Sequence, residues 1–277
     1  MSNIIGLGES ACALAKEFKK YPQYTVYNIL TGDKRVYGKK FYIEPQNDPE
    51  QYEAQCPSLK KFLNSVADDV LFIVDGSEPV SATSLKILSE IRECNITILY
   101  LKTNIKMLSE REKLNEQMVR GVLQEYARSA VFEKIIFVDL ELVGTILPNM
   151  TVKTYYSTIR QTIASTLHMI EIFSRTAADH GTLATPHEAS RILTIGIKDF
   201  ETGEENMFFP LDYPREKCYY YAINEEKLAT DVTLLEKINM QISEAGHDQA
   251  VVSYGIYSTN YADDYIYAAY RSSAIQK

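Results

Sequence analysis

Asn3-Ile4-Ile5-Gly6-Leu7-Gly8-Glu9-Ser10-Ala11-Cys12-Ala13 opens the chain with an apolar run, a turn holding two glycines and the start of an amphipathic stretch that continues from Leu14 to Lys20. The pattern predicts a strand, a tight turn and a helix. A helix N-terminus directly after a strand presents free backbone N–H groups and the positive end of the helix dipole, which together attract an anion. The segment therefore has the outline of a nucleotide cradle, but one with most of its glycines replaced.

Around this opening, strand-like runs alternate with helical patterns through the first half of the chain, as in a doubly wound, mostly parallel α/β sheet. Strands are predicted at Asn3 to Leu7, Thr25 to Leu30, Phe41 to Glu44, Val70 to Asp75, Ile96 to Leu101 and Ile135 to Leu140. Helices are predicted near Ala11 to Lys20, Ser58 to Ser65, Val80 to Cys94 and Glu110 to Ala130. Val70 to Val74 and Ile96 to Leu101 are almost continuously apolar, so both should be central strands buried on two faces. From Thr154 to about Arg175, Ile159, Ile163, Leu167, Ile170 and Phe173 form one stripe of a helix too long for a simple crossover. A second α/β unit follows, with a helical stretch near Pro186 to Ile192, a strand at Cys218 to Ile223, a helix from Thr233 to Glu244, and strands at Ala250 to Tyr257 and Tyr265 to Ser272. In the last strand Tyr265, Tyr267 and Ala269 alternate with Ile266, Ala268 and Tyr270, as in a half-buried sheet. The expected organisation is a Rossmann-like, nucleotide-binding-type domain over 1–153, a long connecting helix over 154–180 and a smaller C-terminal α/β domain over 181–277.

The 277 residues suffice for two domains, and 45% hydrophobic with 24% charged residues is ordinary for a globular chain. No apolar run approaches the ~20 residues that span a bilayer, and the N-terminus has no secretory pattern. The expected setting is the cytoplasm, with no membrane partner. A net charge of −8 without clustered Lys and Arg argues against nucleic acid as a partner. Cys12, Cys56, Cys94 and Cys218 are widely spaced, which fits reduced thiols rather than a zinc site or disulfide framework. His168, His180, His187 and His247 have no metal-ligand spacing, so no metal is expected. Twelve glycines, twenty tyrosines and no tryptophan complete an unusual balance, with tyrosine concentrated in the C-terminal third as strand packing or an interface.

A doubly wound first domain, one long helix and a small strand-helix-strand-strand domain together resemble the tubulin/FtsZ family across nearly the whole chain, by layout more than by motif. In that family the first loop is glycine-rich. Gly6-Leu7-Gly8 keeps its beginning, whereas Glu9, Ser10, Ala11 and Ala13 stand where glycine, alanine, glycine and asparagine are usual. The second phosphate loop would fall at Gly76-Ser77-Glu78-Pro79-Val80-Ser81-Ala82-Thr83-Ser84, where only Gly76 survives, Pro79 removes a donor, and Glu78 opposes a polyphosphate. Arg111 is similar to the helix arginine that reaches the nucleotide; Met107 stands for a glutamate and Arg160 for the asparagine that meets the guanine. The acidic loop that completes hydrolysis in the neighbouring subunit matches Leu183 to Ala189, which keeps only Glu188, out of register.

The resemblance implies a divergent member that assembles head to tail into a homo-oligomer or filament, with GTP as the candidate cofactor and its binding and hydrolysis weakened or lost. The candidate nucleotide residues are Gly6, Gly8, Glu9, Ser10, Ala11, Gly76, Ser77, Arg111 and Arg160; no catalytic residue is assigned. The segment from Tyr21 to Tyr27 also resembles bacteriophage members, which would place the protein in a host cell. The chain ends at Ser272-Ser273-Ala274-Ile275-Gln276-Lys277, without the family's acidic tail. Two alternatives stay open: an active GTPase filament protein, and an NAD-type dinucleotide enzyme, since Gly6-x-Gly8-x-x-Ala11 also fits the Rossmann fingerprint. The second strand supplies no acidic ribose ligand unless it extends to Asp33.

Overall fold

The computed structural model describes residues 2–33, 35–148, 150–246 and 250–277; His247 lies outside them. Two compact units, Met1–Ala164 and Ser165–Lys277, divide within one long helix.

In the first unit, β1 (Asn3–Leu7) lies at the centre and leads through Gly8 into α1 (Glu9–Glu17). Then come β2 (Thr25–Thr31), β3 (Arg35–Tyr37), β4 (Lys40–Ile43), α2 (Pro49–Ala54), β5 (Asp69–Asp75), α3 (Ser84–Ser89), β6 (Asn95–Lys102), α4 (Glu110–Arg128), β7 (Lys134–Asp139) and α5 (Leu140–Ile146). The strand order is β3-β4-β2-β1-β5-β6-β7, parallel throughout except for the β3–β4 pair at the edge. Ile4, Ile5, Leu7, Leu71, Phe72, Ile73, Ile98 and Leu99 are wholly buried, so the central strands are covered on both faces, each such side chain contributing about 1.5–3 kcal/mol by leaving water. Gly6 is needed for this packing: a Cβ there would lie 2.9 Å from the Cys12 backbone, so its absence lets α1 lie close on β1.

Two predicted segments of this unit differ. Residues 58–65 form turns, because Leu59 and Leu63 are buried at a spacing that imitates a helix while only one helical turn closes between them. The helix of the preceding segment is α2, started by Asp48, whose carboxylate accepts from the Gln51 N–H, with Pro49 at its first position. The segment Val80 to Cys94 breaks into a 3₁₀ turn, Pro79–Thr83, and the short α3. There the Ser81, Thr83 and Ser84 hydroxyls bond to nearby backbone carbonyls, in competition with a regular helix.

The helix α6 (Tyr155–Ser174) carries Ile159, Ile163, Leu167, Ile170 and Phe173 buried, as its stripe predicts. In the second unit, β8 (His180–Thr182), β9 (Ile192–Lys198), β10 (Glu205–Met207), β11 (Glu216–Asn224), α7 (Glu225–Thr230), α8 (Leu234–Ala245), β12 (Val251–Thr259) and β13 (Tyr265–Ser272) follow. Their order is β9-β13-β11-β12-β8, with β10 also on β9; only β11 and β12 run parallel. The helix expected near Pro186 to Ile192 is absent: residues 183–191 are loop, and the β-branched run from Ile192 onward is β9. β13 is buried on both faces from Ile266 to Tyr270, not half-buried, so the alternation of Tyr and Ala there is packing on two sides. The core joins Tyr219, Tyr221, Ile223, Leu234, Ile238, Ile256, Ile266 and Tyr270.

Candidate functional site

The loops after β1 and β5 meet where the strand order reverses direction, the crevice at which open α/β sheets place ligands. β1 ends at Leu7, and Gly8 turns the chain with φ +91°, a conformation that an L side chain rarely adopts. Its N–H donates to the Ile29 carbonyl at 2.9 Å, and the first free amides of α1 then face the crevice.

Those amides have a partner inside the protein. Glu78, just beyond the end of β5, accepts from the Glu9 N–H through Oε2 at 2.7 Å and from the Ser10 N–H through Oε1 at 2.8 Å. A carboxylate bridging two amides at a helix N-terminus reproduces the contacts of a bound anion. Gly8 makes the approach possible, for a Cβ there would lie 2.1 Å from Oε2. Burial pushes the Glu78 carboxyl up to about 7; the Ser10 and Glu9 amides oppose the rise, and the Asp75 and Glu9 charges add to it.

The rest of the second loop is fastened inward. Asp75 Oδ1 accepts from the Ser77 N–H at 3.0 Å and its hydroxyl at 2.7 Å, and Oδ2 accepts from the Thr103 hydroxyl at 2.6 Å. Asn115 of α4, buried, donates from Nδ2 to the carbonyls of Gly76 at 2.7 Å and Glu78 at 3.2 Å and to Ser81 Oγ at 3.1 Å. Gly76 admits the Tyr100 ring, whose hydroxyl would stand 1.9 Å from a Cβ there and donates to Glu116. Beside Glu78 remains a cleft of about 500 Å³ lined by Glu9, Ser10, Thr31, Tyr52, Pro79 and Val80, without a Lys or Arg among them.

Of the residues singled out in the sequence, Gly8, Glu9 and Ser10 meet Glu78, while Gly6 and Ala11 are packed beneath them and Gly76 and Ser77 belong to the fastened loop. Arg111 lies apart, its guanidinium 3.5 Å from Asp48 and 3.7 Å from Glu50 and donating to the Asn47 carbonyl. Arg160 lies on α6, its Nε buried and without a hydrogen-bond partner among the described residues. Glu188 is exposed on the loop before β9. Asn115, Asp75 and Thr103 were not singled out by the sequence: buried loop fasteners carry no spacing signature, although an Asp at a strand's C-terminal end is a visible hint. Among the described residues no cluster of His, Cys, Asp and Glu could hold a metal, and no helix is long and apolar enough to cross a membrane.

Neither a protein-family model nor a curated protein sequence matches the chain. Solved structures do. GDP-form protofilaments of TubZ from Bacillus thuringiensis serovar israelensis superpose with a TM-score of 0.73 at 14% identity, over 97% of this chain and 85% of that one. The GTPγS-bound protofilament of CetZ2 from Haloferax volcanii gives 0.69 at 10% identity, over 98% and 92%. An empty FtsZ dimer from M. jannaschii gives 0.64 at 10% identity, over 98% and 88%. With both units, the parallel sheet and the long helix all included in that overlap, the chain has the tubulin/FtsZ-like fold.

Proposed function

We propose that this protein is a self-assembling tubulin-fold subunit in which the Glu78 carboxylate stands where a nucleotide phosphate would be held, so that assembly runs without a nucleotide cycle. The observation that carries the reading is the pair of hydrogen bonds from the Glu9 and Ser10 amides to Glu78. A polyphosphate would compete for the same two donors and meet the charges of Glu78, Glu9 and Asp75. One unit charge repels another by about 4 kcal/mol at 4 Å in a partly screened site, roughly a thousandfold in affinity. GTP therefore does not fit the residues as they stand. Support for assembly comes from likeness: the TubZ and CetZ2 structures are protofilaments. Head-to-tail contacts between the second unit of one subunit and the loop face of the next extend into filaments when they do not close.

Calorimetric titration with GTP, together with light scattering in its absence, tests both halves. The expected result is no binding heat for the natural chain, a measurable GTP affinity for Glu78→Gly, and assembly without nucleotide. Micromolar GTP binding by the natural chain overturns the first half, and persistent monomers at high concentration overturn the second.

A further inference from the structure

The β3–β4 hairpin sets two cations and two tyrosines on one face of a sheet edge. In an antiparallel pair, directly opposite residues share a face, and so do residues two apart on one strand. Arg35 lies opposite Tyr42 and Tyr37 opposite Lys40, so these four side chains form an alternating square on one face. Val36, opposite the buried Phe41, belongs to the other. The Arg35 guanidinium lies 4.5 Å over the Tyr42 ring, and Tyr37 is 77% exposed. Among the described residues no strand lies beyond β3, and neither Arg35 nor Lys40 is paired with a carboxylate. Tyr and Arg are enriched where proteins bind one another. Two unpaired cations on either side of an exposed ring are complementary to two carboxylates on either side of an apolar side chain.

The second unit carries that complement. On α8, Glu236, Met240 and Glu244 follow one another at four-residue spacing and so share one stripe. The buried side of the helix is the opposite one, made by Leu234, Ile238, Gln241 and Ala245. Met240 is 59% exposed, both glutamates are exposed, and among the described residues neither has a cationic partner. Lys237 of the same helix is taken by Glu201 at 2.6 Å. The charges of the two units agree with such a match: residues 1–164 hold 20 basic and 20 acidic side chains, and residues 165–277 hold 9 and 17. All the net charge thus belongs to the second unit, and the first approaches it without net repulsion. We infer that the β3–β4 hairpin docks on α8 of a second copy of this chain, with Tyr37 against the partner's Met240 and with Arg35 and Lys40 on the partner's Glu236 and the partner's Glu244. Eight residues of helix separate the two glutamates by about 12 Å, against about 7–8 Å for the diagonal from Arg35 to Lys40. The long side chains on both sides close that difference, and the thioether meets the tyrosine ring. A hairpin on one helix face falls short of the ~800 Å² per partner of a stable dimer, and exposed ion pairs add little affinity each. The contact is therefore weak, its charges selecting the partner face, and it does not depend on the head-to-tail assembly proposed above.

The test mixes two full-length chains in which Cys56, Cys94 and Cys218 are changed to Ser and the buried Cys12 is kept. One chain carries Tyr37→Cys and the other Met240→Cys. The expected result on mild oxidation is a disulfide between positions 37 and 240 of different chains, identified by the mass of the linked peptide. A first chain with Val152→Cys in place of Tyr37→Cys, at a position of 96% exposure, should give no such link to position 240. Glu236→Lys with Glu244→Lys on the second chain should abolish the 37–240 link. Adding Arg35→Glu with Lys40→Glu to the first chain should then restore it, a recovery that a misfolded variant would not show. Equal linking from 37 and 152, or a 37–240 link that survives the first charge reversal, overturns the docking, as does failure of the double reversal to restore it while all chains keep their melting temperatures.

Discussion

Two amide hydrogen bonds and a burial penalty act on the Glu78 carboxylate in opposite directions, and burial prevails, setting its folded value at about 7 against 4.5 for a free side chain. Because the folded value is raised, the folded state holds a proton that the unfolded chain gives up. Its contribution to stability is fully present below about pH 4.5 and is lost as pH rises through 7, by at most about 3 kcal/mol. The melting temperature should therefore fall between pH 5 and pH 8, and Glu78→Gln should flatten that slope. An unchanged slope in the variant would overturn the assignment of the effect to Glu78. Gly8 is under a separate constraint. Gly8→Ala places a Cβ on Oε2 and forces alanine into a left-handed conformation costing about 1–2 kcal/mol. Chemical denaturation should show a loss of at least that size, whereas Gly38→Ala, also at positive φ but with open space around it, should show the conformational cost alone.

At the scale of elements, the loop after β5 is held by α4 through one amide. Asn115→Ala leaves the Gly76 and Glu78 carbonyls without that donor, which should cost about 1–3 kcal/mol in denaturant midpoint analysis and loosen Glu78 from α1. In the second unit the tyrosines do comparable work. Tyr219 and Tyr270 both donate to Glu205, which also pairs with Lys198 at 3.2 Å. Although burial works against ionisation, the Tyr219 and Tyr270 hydroxyls and Lys198 hold the Glu205 carboxyl below its usual range. Tyrosine, with an apolar ring and a polar tip, lets β11 and β13 bury aromatic volume and still satisfy a carboxylate. The sequence made the central strands legible because a strand buried on both faces is a continuous apolar run, as Leu71 to Val74 shows. It concealed β9, whose run from Ile192 to Ile197 follows a loop that imitates a helix start, and it concealed the role of Glu78. Its charge argued against a polyphosphate, but only the meeting of two loops 69 residues apart shows that it supplies an anion itself.

At the scale of the molecule, the proposed filament would have to hold together subunits that each carry a formal charge of −8. Like-charged subunits repel over roughly the Debye length, about 10 Å at 0.1 M salt and about 3 Å at 1 M. A head-to-tail contact built mainly on apolar burial should therefore strengthen as salt rises, because screening removes the repulsion and leaves the burial intact. Rising salt should thus lower the concentration at which filaments appear. Sedimentation of total polymer across a salt series measures it. Polymer that dissolves as salt rises would mean that the longitudinal contact depends on opposite charges, and would move attention from buried apolar surface to ion pairs between subunits.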